Sequence, residues 1–233
     1  MACAAALRGA PPLGTSQAHM SAAAPPPTTP PAANEYRKVV YYVACSLDGY
    51  IAGPGDDLSW LGGRPGASPY ETELDFDAFY STVAITVSGG RTQRWVEAAG
   101  VADPYPTSSN YVVSRNPGPG GSATHQVVAE DPAALVRRLR DPSKTPAPKE
   151  GSLWVVGGGQ VVRPLLQAGL VDEVEVFVHP VLLGGGVPLV GEGLGTKVDL
   201  VVLEAQPLRD GVVRVRYAVA RGQADGTARG ASD

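Results

Sequence analysis

The chain has 233 residues, enough to bury one large core. Its formal net charge of −4 and acidic pI near 5.4 argue against a nucleic-acid or polyanion-binding surface, and two cysteines with three scattered histidines supply neither a disulfide framework nor a zinc site. No apolar run reaches the roughly 18 residues of a membrane span, so a cytoplasmic protein is expected, acting on a small molecule with no metal, nucleic-acid or membrane partner.

Residues 1–34 are rich in Ala and Pro without a hydrophobic period and read as a disordered tail, within which Met20 offers an alternative start. Residues 35–220 read as one α/β domain and residues 221–233 as a second loose tail. Within the domain, the short apolar, β-branched run Lys38 to Cys45 predicts a buried strand. Leu74, Phe76, Phe79 and Tyr80 have helical spacing in the segment Tyr70 to Tyr80; a strand follows at Val83–Val87 and a short helix from Thr92 to Ala99. Strands are expected at Tyr111–Arg115 and Gln126–Ala129. Asp131-Pro132 supplies an N-cap and a first-turn proline for a helix to about Arg140, and Pro142 to Gly151 forms a loop. After the strand Leu153–Val156 come a helix from Gln160 to Ala168 closed by Gly169, a strand at Glu173–Val178, and two strands at Val198–Ala205 and Val212–Ala220 joined through Pro207 and Asp210-Gly211. Strands alternating with helices and then a closing hairpin predict a mostly parallel sheet with flanking helices and an antiparallel C-terminal edge.

The most informative stretch is Val155-Val156-Gly157-Gly158-Gly159-Gln160, where an apolar strand meets three glycines at a helix start. Backbone N–H groups without side chains in front of them, at the positive end of a helix, suit a phosphate. The stretch matches neither the G-x-G-x-x-G fingerprint nor the phosphate loop with Lys, and in isolation it is equally a tight strand-to-helix turn.

Four segments carry a resemblance. They are Ser46-Leu47-Asp48-Gly49-Tyr50-Ile51-Ala52, Gly89-Gly90-Arg91-Thr92, Val113-Ser114-Arg115, and Val156-Gly157-Gly158-Gly159 with the downstream Gly169-Leu170-Val171-Asp172-Glu173 and Pro180 to Leu189. In this order and spacing the chain resembles the dihydrofolate reductase-like superfamily, in the branch of the C-terminal reductase domain of the bifunctional riboflavin-biosynthesis enzyme (RibD) and its stand-alone bacterial relatives. The resemblance implies NADPH as cofactor. It places cofactor contacts at Ala44, Ile51, Gly89, Arg91, Thr92, Val156, Gly157, Gly158, Gly159, Gln160 and Val161, with Ser114 and Arg115 gripping the 2′-phosphate that distinguishes NADPH from NADH. The chain departs from the family's G-R-x-T at Gly90, which stands where an Arg is usual, so a basic contact is missing unless Arg91 or Arg94 replaces it.

On the substrate side, the resemblance implies that Asp75, four residues before Phe79, offers a carboxylate beside a ring to a flat heterocycle. Asp75 can equally favour a helix start, and Phe79 can equally be core. Trp60 corresponds to a tryptophan in the loop over the active site. Asp48 is a further candidate for the substrate side, although an Asp after a strand also fixes a turn by accepting backbone N–H bonds. Val162 replaces the tyrosine of true folate reductases, which argues against dihydrofolate, and the His/Cys/Cys set of the riboflavin-pathway deaminase is absent, so no deaminase is expected in this chain. The implied function is an NADPH-dependent reductase of a pyrimidine- or pterin-like substrate (5-amino-6-(5-phosphoribosylamino)uracil reductase-like), with homodimerisation as in relatives. The alternative is a non-catalytic NADP-binding module of the same fold.

Overall fold

The computed structural model describes residues 36–62, 76–101, 103–115, 124–208 and 211–220. In chain order its strands are β1 (Val39–Ser46), β2 (Tyr50–Ala52), β3 (Val83–Gly89), β4 (Ser109–Val113), β5 (Gln126–Val128), β6 (Ser152–Gly157), β7 (Glu173–His179), β8 (Val187–Pro188), β9 (Leu200–Pro207) and β10 (Val213–Val219). Its helices are α1 (Phe76–Ser81), α2 (Gly90–Ala98), α3 (Pro132–Arg140) and α4 (Gly159–Gln167). The expected tails at 1–34 and 221–233, the helical segment 70–75 including Asp75, and Asp210 of the hairpin turn lie outside the described residues.

β1 is buried at all eight positions, as its continuous apolar sequence requires of a strand covered on both faces. Side chains alternate, so Tyr41, Val43 and Cys45 enter one layer while Val40, Tyr42 and Ala44 enter the other. α3 and α4 cover the first layer with Leu135, Val136, Leu139, Val161, Val162 and Leu165. The second is aromatic: Trp154 of β6, fully buried, donates its indole N–H to the Tyr42 carbonyl at 3.1 Å and meets Phe76 and Phe79 of α1 edge-on.

The sheet has eight strands in the order β5-β4-β3-β6-β1-β7-β10-β9. Every pair from β5 to β7 is parallel, and β10 runs antiparallel to both β7 and β9. The expected α/β architecture, mostly parallel with a C-terminal antiparallel hairpin, is the observed one. Local signals hold as well: Asp131 accepts from the Ala133 and Ala134 amides at 3.0 Å each, and Gly169 follows α4 with φ +62.

Two details differ. α2 starts at Gly90 rather than Thr92, which moves its positive end directly onto the end of β3. β2 and β8 form a separate two-stranded sheet, and with three and two residues they are too short to show a hydrophobic period. Among the described residues no helix is long and apolar enough to cross a membrane.

Candidate active site

From β3 the chain moves outward to β4 and β5, whereas from β6 it moves the other way, past β1, to β7. The connections therefore part above the carboxyl ends of two adjacent strands, the place where open parallel sheets bind ligands. A cavity of about 1000 Å³ opens there. Ala44, Ile51, Gly89, Arg91, Thr92, Ser114, Arg115, Val156, Gly158, Gly159, Gln160 and Val161 all line it, and Gly157 does not.

The three glycines have different jobs. Gly157 has φ +116, a conformation that side chains with a Cβ rarely adopt, and its peptide to Gly158 is cis. A Cβ on Gly159 would lie 2.4 Å from both the Gly191 nitrogen and the Pro188 oxygen, so this glycine is required by the backbone that follows β8. A Cβ on Gly158 meets nothing nearer than Ile51 Cδ1 at 3.5 Å, which leaves the N-cap of α4 open towards the cavity. Gly89 is the N-cap of α2, where a Cβ would stand 3.1 Å from Val161 Cγ2, and the positive ends of two helices thus face one crevice.

The charges in the crevice are unevenly committed. Arg91 forms a bidentate pair with Asp56, one arm being Nε to Oδ2 at 2.7 Å. Glu130 pairs with Arg138 at 2.8 Å, and Asp131 is spent on capping α3. Arg94 and Arg115 also line the cavity and form no ion pair among the described residues. Gly90 explains the departure from G-R-x-T: a Cβ there would stand 3.2 Å from Ser114 Oγ and 3.6 Å from an Arg94 guanidinium nitrogen. The Arg94 guanidinium, from one helical turn further on, thus stands beside the place an Arg side chain at position 90 would enter.

On the opposite side the residues singled out from the sequence are less closely gathered. Phe79 stacks on Tyr42 with ring centroids 3.9 Å apart, so it supports a cavity residue from behind and is not part of the lining. Asp48 is also outside the lining. It accepts from Ser46 Oγ at 2.6 Å and reaches across to the amides of Leu183 and Gly184, at 2.7 Å for the latter, so it ties the β1–β2 turn to the loop before β8. These bonds, the Ser46 hydroxyl foremost, hold its carboxyl below the usual range. The Pro54–Gly62 loop does border the cavity, but through Asp56, Leu58 and Leu61. Trp60 turns away, donating to the Asp57 carbonyl at 3.2 Å and standing edge-on to His179 at 5.1 Å. Tyr42 and Val187 were missed as lining residues, since a core-strand tyrosine and a two-residue strand give no signal of a site.

His179 is only 3 % exposed, and burial pushes its pKa down to about 4. The unfolded chain, with an imidazole near 6.5, therefore takes up the proton first as the pH falls. Its contribution to stability is complete above about pH 6.5 and is lost towards pH 4. Urea denaturation at pH 7.5 and 4.5 should show a loss on the order of 1–3 kcal/mol, most of which His179→Gln should remove. Equal pH dependence in parent and variant would refute the assignment. Asp141, held at about 2 chiefly by the Ser143 hydroxyl, titrates below this window.

Comparison with known proteins identifies the family and the fold. The chain is 30% identical over 156 residues to the uncharacterized protein YwjB of Bacillus subtilis (strain 168), covering 67% of this chain and 84% of that one. A candidate riboflavin biosynthesis protein of Shewanella sp. PV-4, known from a crystal structure, superposes with a TM-score of 0.67 at 27% identity, covering 79% of this chain and 99% of the other. The Thermotoga maritima diaminohydroxyphosphoribosylaminopyrimidine deaminase/5-amino-6-(5-phosphoribosylamino)uracil reductase shares the fold at TM-score 0.56 and 15% identity; the match covers 79% of this chain and 57% of that larger one. The sequence pattern of the RibD C-terminal domain matches residues 37–213, and the chain belongs to that family.

Proposed function

We propose that the protein is an NADPH-dependent reductase that delivers hydride to a small pyrimidine- or pterin-like substrate, as a 5-amino-6-(5-phosphoribosylamino)uracil reductase does. The observation that carries this reading is the convergence of two helix amino termini and two arginines, neither ion-paired among the described residues, on one crevice at the carboxyl ends of parallel strands. Such a site suits a ligand with several phosphates and an extended body.

In this assignment the amides opening α4 and α2 hold the diphosphate, Ser114 and Arg115 hold the 2′-phosphate, and Arg94 supplies the charge that the family places at position 90. Arg91 keeps the Pro54–Gly62 loop against α2 through Asp56. NADPH, when bound, supplies the hydride. Ala44, Ile51 and Tyr42 offer an apolar wall that excludes water from the reacting end. Membership of the RibD family and the name of the Thermotoga enzyme support the substrate class.

The test is titration with NADPH and NADH, followed by turnover assays on a panel of pyrimidines and pterins monitored at the nicotinamide absorbance. NADPH binding with turnover of a panel member is expected. Binding without turnover would favour the non-catalytic NADP-binding module, and absence of binding would remove both readings.

The glycines give a paired prediction. Gly158→Ala should fold with a melting temperature near the parent's and bind NADPH about tenfold more weakly or worse, because its Cβ projects where a phosphate must approach. Gly159→Ala should instead lose on the order of 1–3 kcal/mol of stability through its clash with the Pro188–Gly191 backbone. Thermal melts of both variants alongside NADPH titration separate the two roles, and a reversed pattern contradicts them.

A further inference from the structure

One end of the crevice is built by the ends of β4 and β5 and the start of α3, through Ser114, Arg115, Ala129, Glu130, Asp131 and Pro132. The two strands are parallel with Val113 opposite Val128, and the Ser114 amide donates to the Val128 carbonyl at 3.0 Å. Arg115 and Glu130 each lie two residues past that last pair. Adjacent strand ends therefore deliver a guanidinium and a carboxylate to the same end of the cavity, where the proposed function seats the 2′-phosphate.

The two groups ask for different ligands. In dinucleotide sites a carboxylate accepts from the ribose 2′-hydroxyl of NAD, whereas an arginine accommodates the 2′-phosphate of NADP, and a carboxylate left unpaired beside that phosphate repels it. Glu130 is not left unpaired. Arg138, in the last turn of α3 and outside the cavity lining, reaches back and donates from Nη2 to Glu130 Oε2 at 2.8 Å. The other carboxylate at this end, Asp131, accepts from the Ala133 and Ala134 amides and so faces the positive end of α3. Residues 116–125, which join β4 to β5, contain no Asp, Glu, Lys or Arg. The charge beside Arg115 thus turns on one ion pair.

We infer that Arg138 is a positioning residue for cofactor choice: by holding and neutralising Glu130 it keeps this end of the cavity open to a 2′-phosphate and withholds the carboxylate from a ribose hydroxyl. The inference rests on the NADPH reading above and adds a residue that touches no ligand. Its effect is moderate and salt-dependent, because the pair is partly in water, with side-chain exposures of 43% for Arg138 and 34% for Glu130. The bonds that tie Arg138 to the following loop, from Thr145 Oγ1 and the Asp141 amide, run to its backbone carbonyl, so replacing the side chain leaves them in place.

The test is titration of the full chain with NADPH and NADH at low ionic strength. Arg138→Gln should weaken NADPH about three- to tenfold and leave NADH unchanged or tighter, because a negative charge is uncovered beside the phosphate. Arg138→Lys keeps the charge and should stay near the parent. Glu130→Gln should bind NADPH more tightly than the parent, and Glu130→Gln combined with Arg138→Gln should recover what Arg138→Gln alone loses, a rescue that damage to the fold would not produce. A parent with equal affinity for both cofactors withdraws the NADPH reading and this inference with it. A parent that prefers NADPH, with a preference that Arg138→Gln leaves intact or that the double variant fails to restore, overturns the inference and leaves the reading standing.

Discussion

Arg115→Ala is expected to weaken NADPH binding by about ten- to a hundredfold and leave NADH binding within about twofold. The proposed contact is a guanidinium on a phosphate, worth roughly 1.5–3 kcal/mol. Arg115 is exposed two residues beyond the end of β4, so water competes for both partners and the lower half of that range is the better guide. Ser114 beside it contributes a hydroxyl, which sets direction more than strength. Arg94 acts differently. Its guanidinium, from the second turn of α2, stands beside Gly90 at the N-terminus of the helix, so Arg94→Ala should weaken NADPH and NADH by more similar factors if its charge serves the diphosphate as well. Arg91→Ala should cost least, because its guanidinium is already matched by Asp56. Isothermal titration of the three variants with both cofactors checks the ranking. Equal affinity of the parent for NADPH and NADH would withdraw the assignment of Ser114 and Arg115.

What the sequence revealed follows the range over which its signals act. β1, β3 and β6 announce themselves as short, mostly apolar runs covered on both faces, β7 by the alternation of valines with Glu173 and Glu175, and Asp131-Pro132 and Gly169 mark helix ends by local chemistry. Part of the crevice at the carboxyl ends of the strands was legible for a related reason: several stretches that line it, around Gly89 to Thr92, Ser114-Arg115 and Gly158 to Val161, are each short runs contiguous in sequence. The residues that the resemblance assigns to a substrate, and their neighbours, are held by distant pieces of the chain. Nothing near Arg91 indicates that Asp56, 35 positions earlier, neutralises it. Nothing near Asp48 reveals that its carboxylate holds the amides of Leu183 and Gly184, 135 and 136 positions later. Trp60 carries the composition of a lid residue, yet His179, a strand-end residue far along the chain, offers it an edge-on partner away from the crevice.

The last expectation concerns Asp75. It lies outside the described residues, but the helix it precedes is well fixed: Phe79 stacks on Tyr42 and Phe76 lies 6.3 Å from the same ring, while Tyr42 itself lines the crevice. The start of α1 is thereby held close to the cavity wall by aromatic packing, and in the proposed function the Asp75 carboxylate bonds a heterocycle's ring nitrogen or amino group. Such a bond fixes the plane of the substrate and places its acceptor carbon for hydride, and a carboxyl in contact with a ring nitrogen can also pass it a proton. Asp75→Asn keeps the shape and one acceptor but loses the charge and the exchangeable proton. Turnover on the best substrate should fall on the order of a hundredfold, the scale of a lost general acid, with NADPH affinity near the parent value. Phe79→Leu should instead lower the melting temperature, since the phenyl ring is part of the aromatic layer around Trp154. Steady-state turnover and NADPH titration on the same preparation decide the matter: unchanged turnover in Asp75→Asn reduces the residue to a helix-start carboxylate, and a joint loss of binding and turnover assigns the damage to the fold.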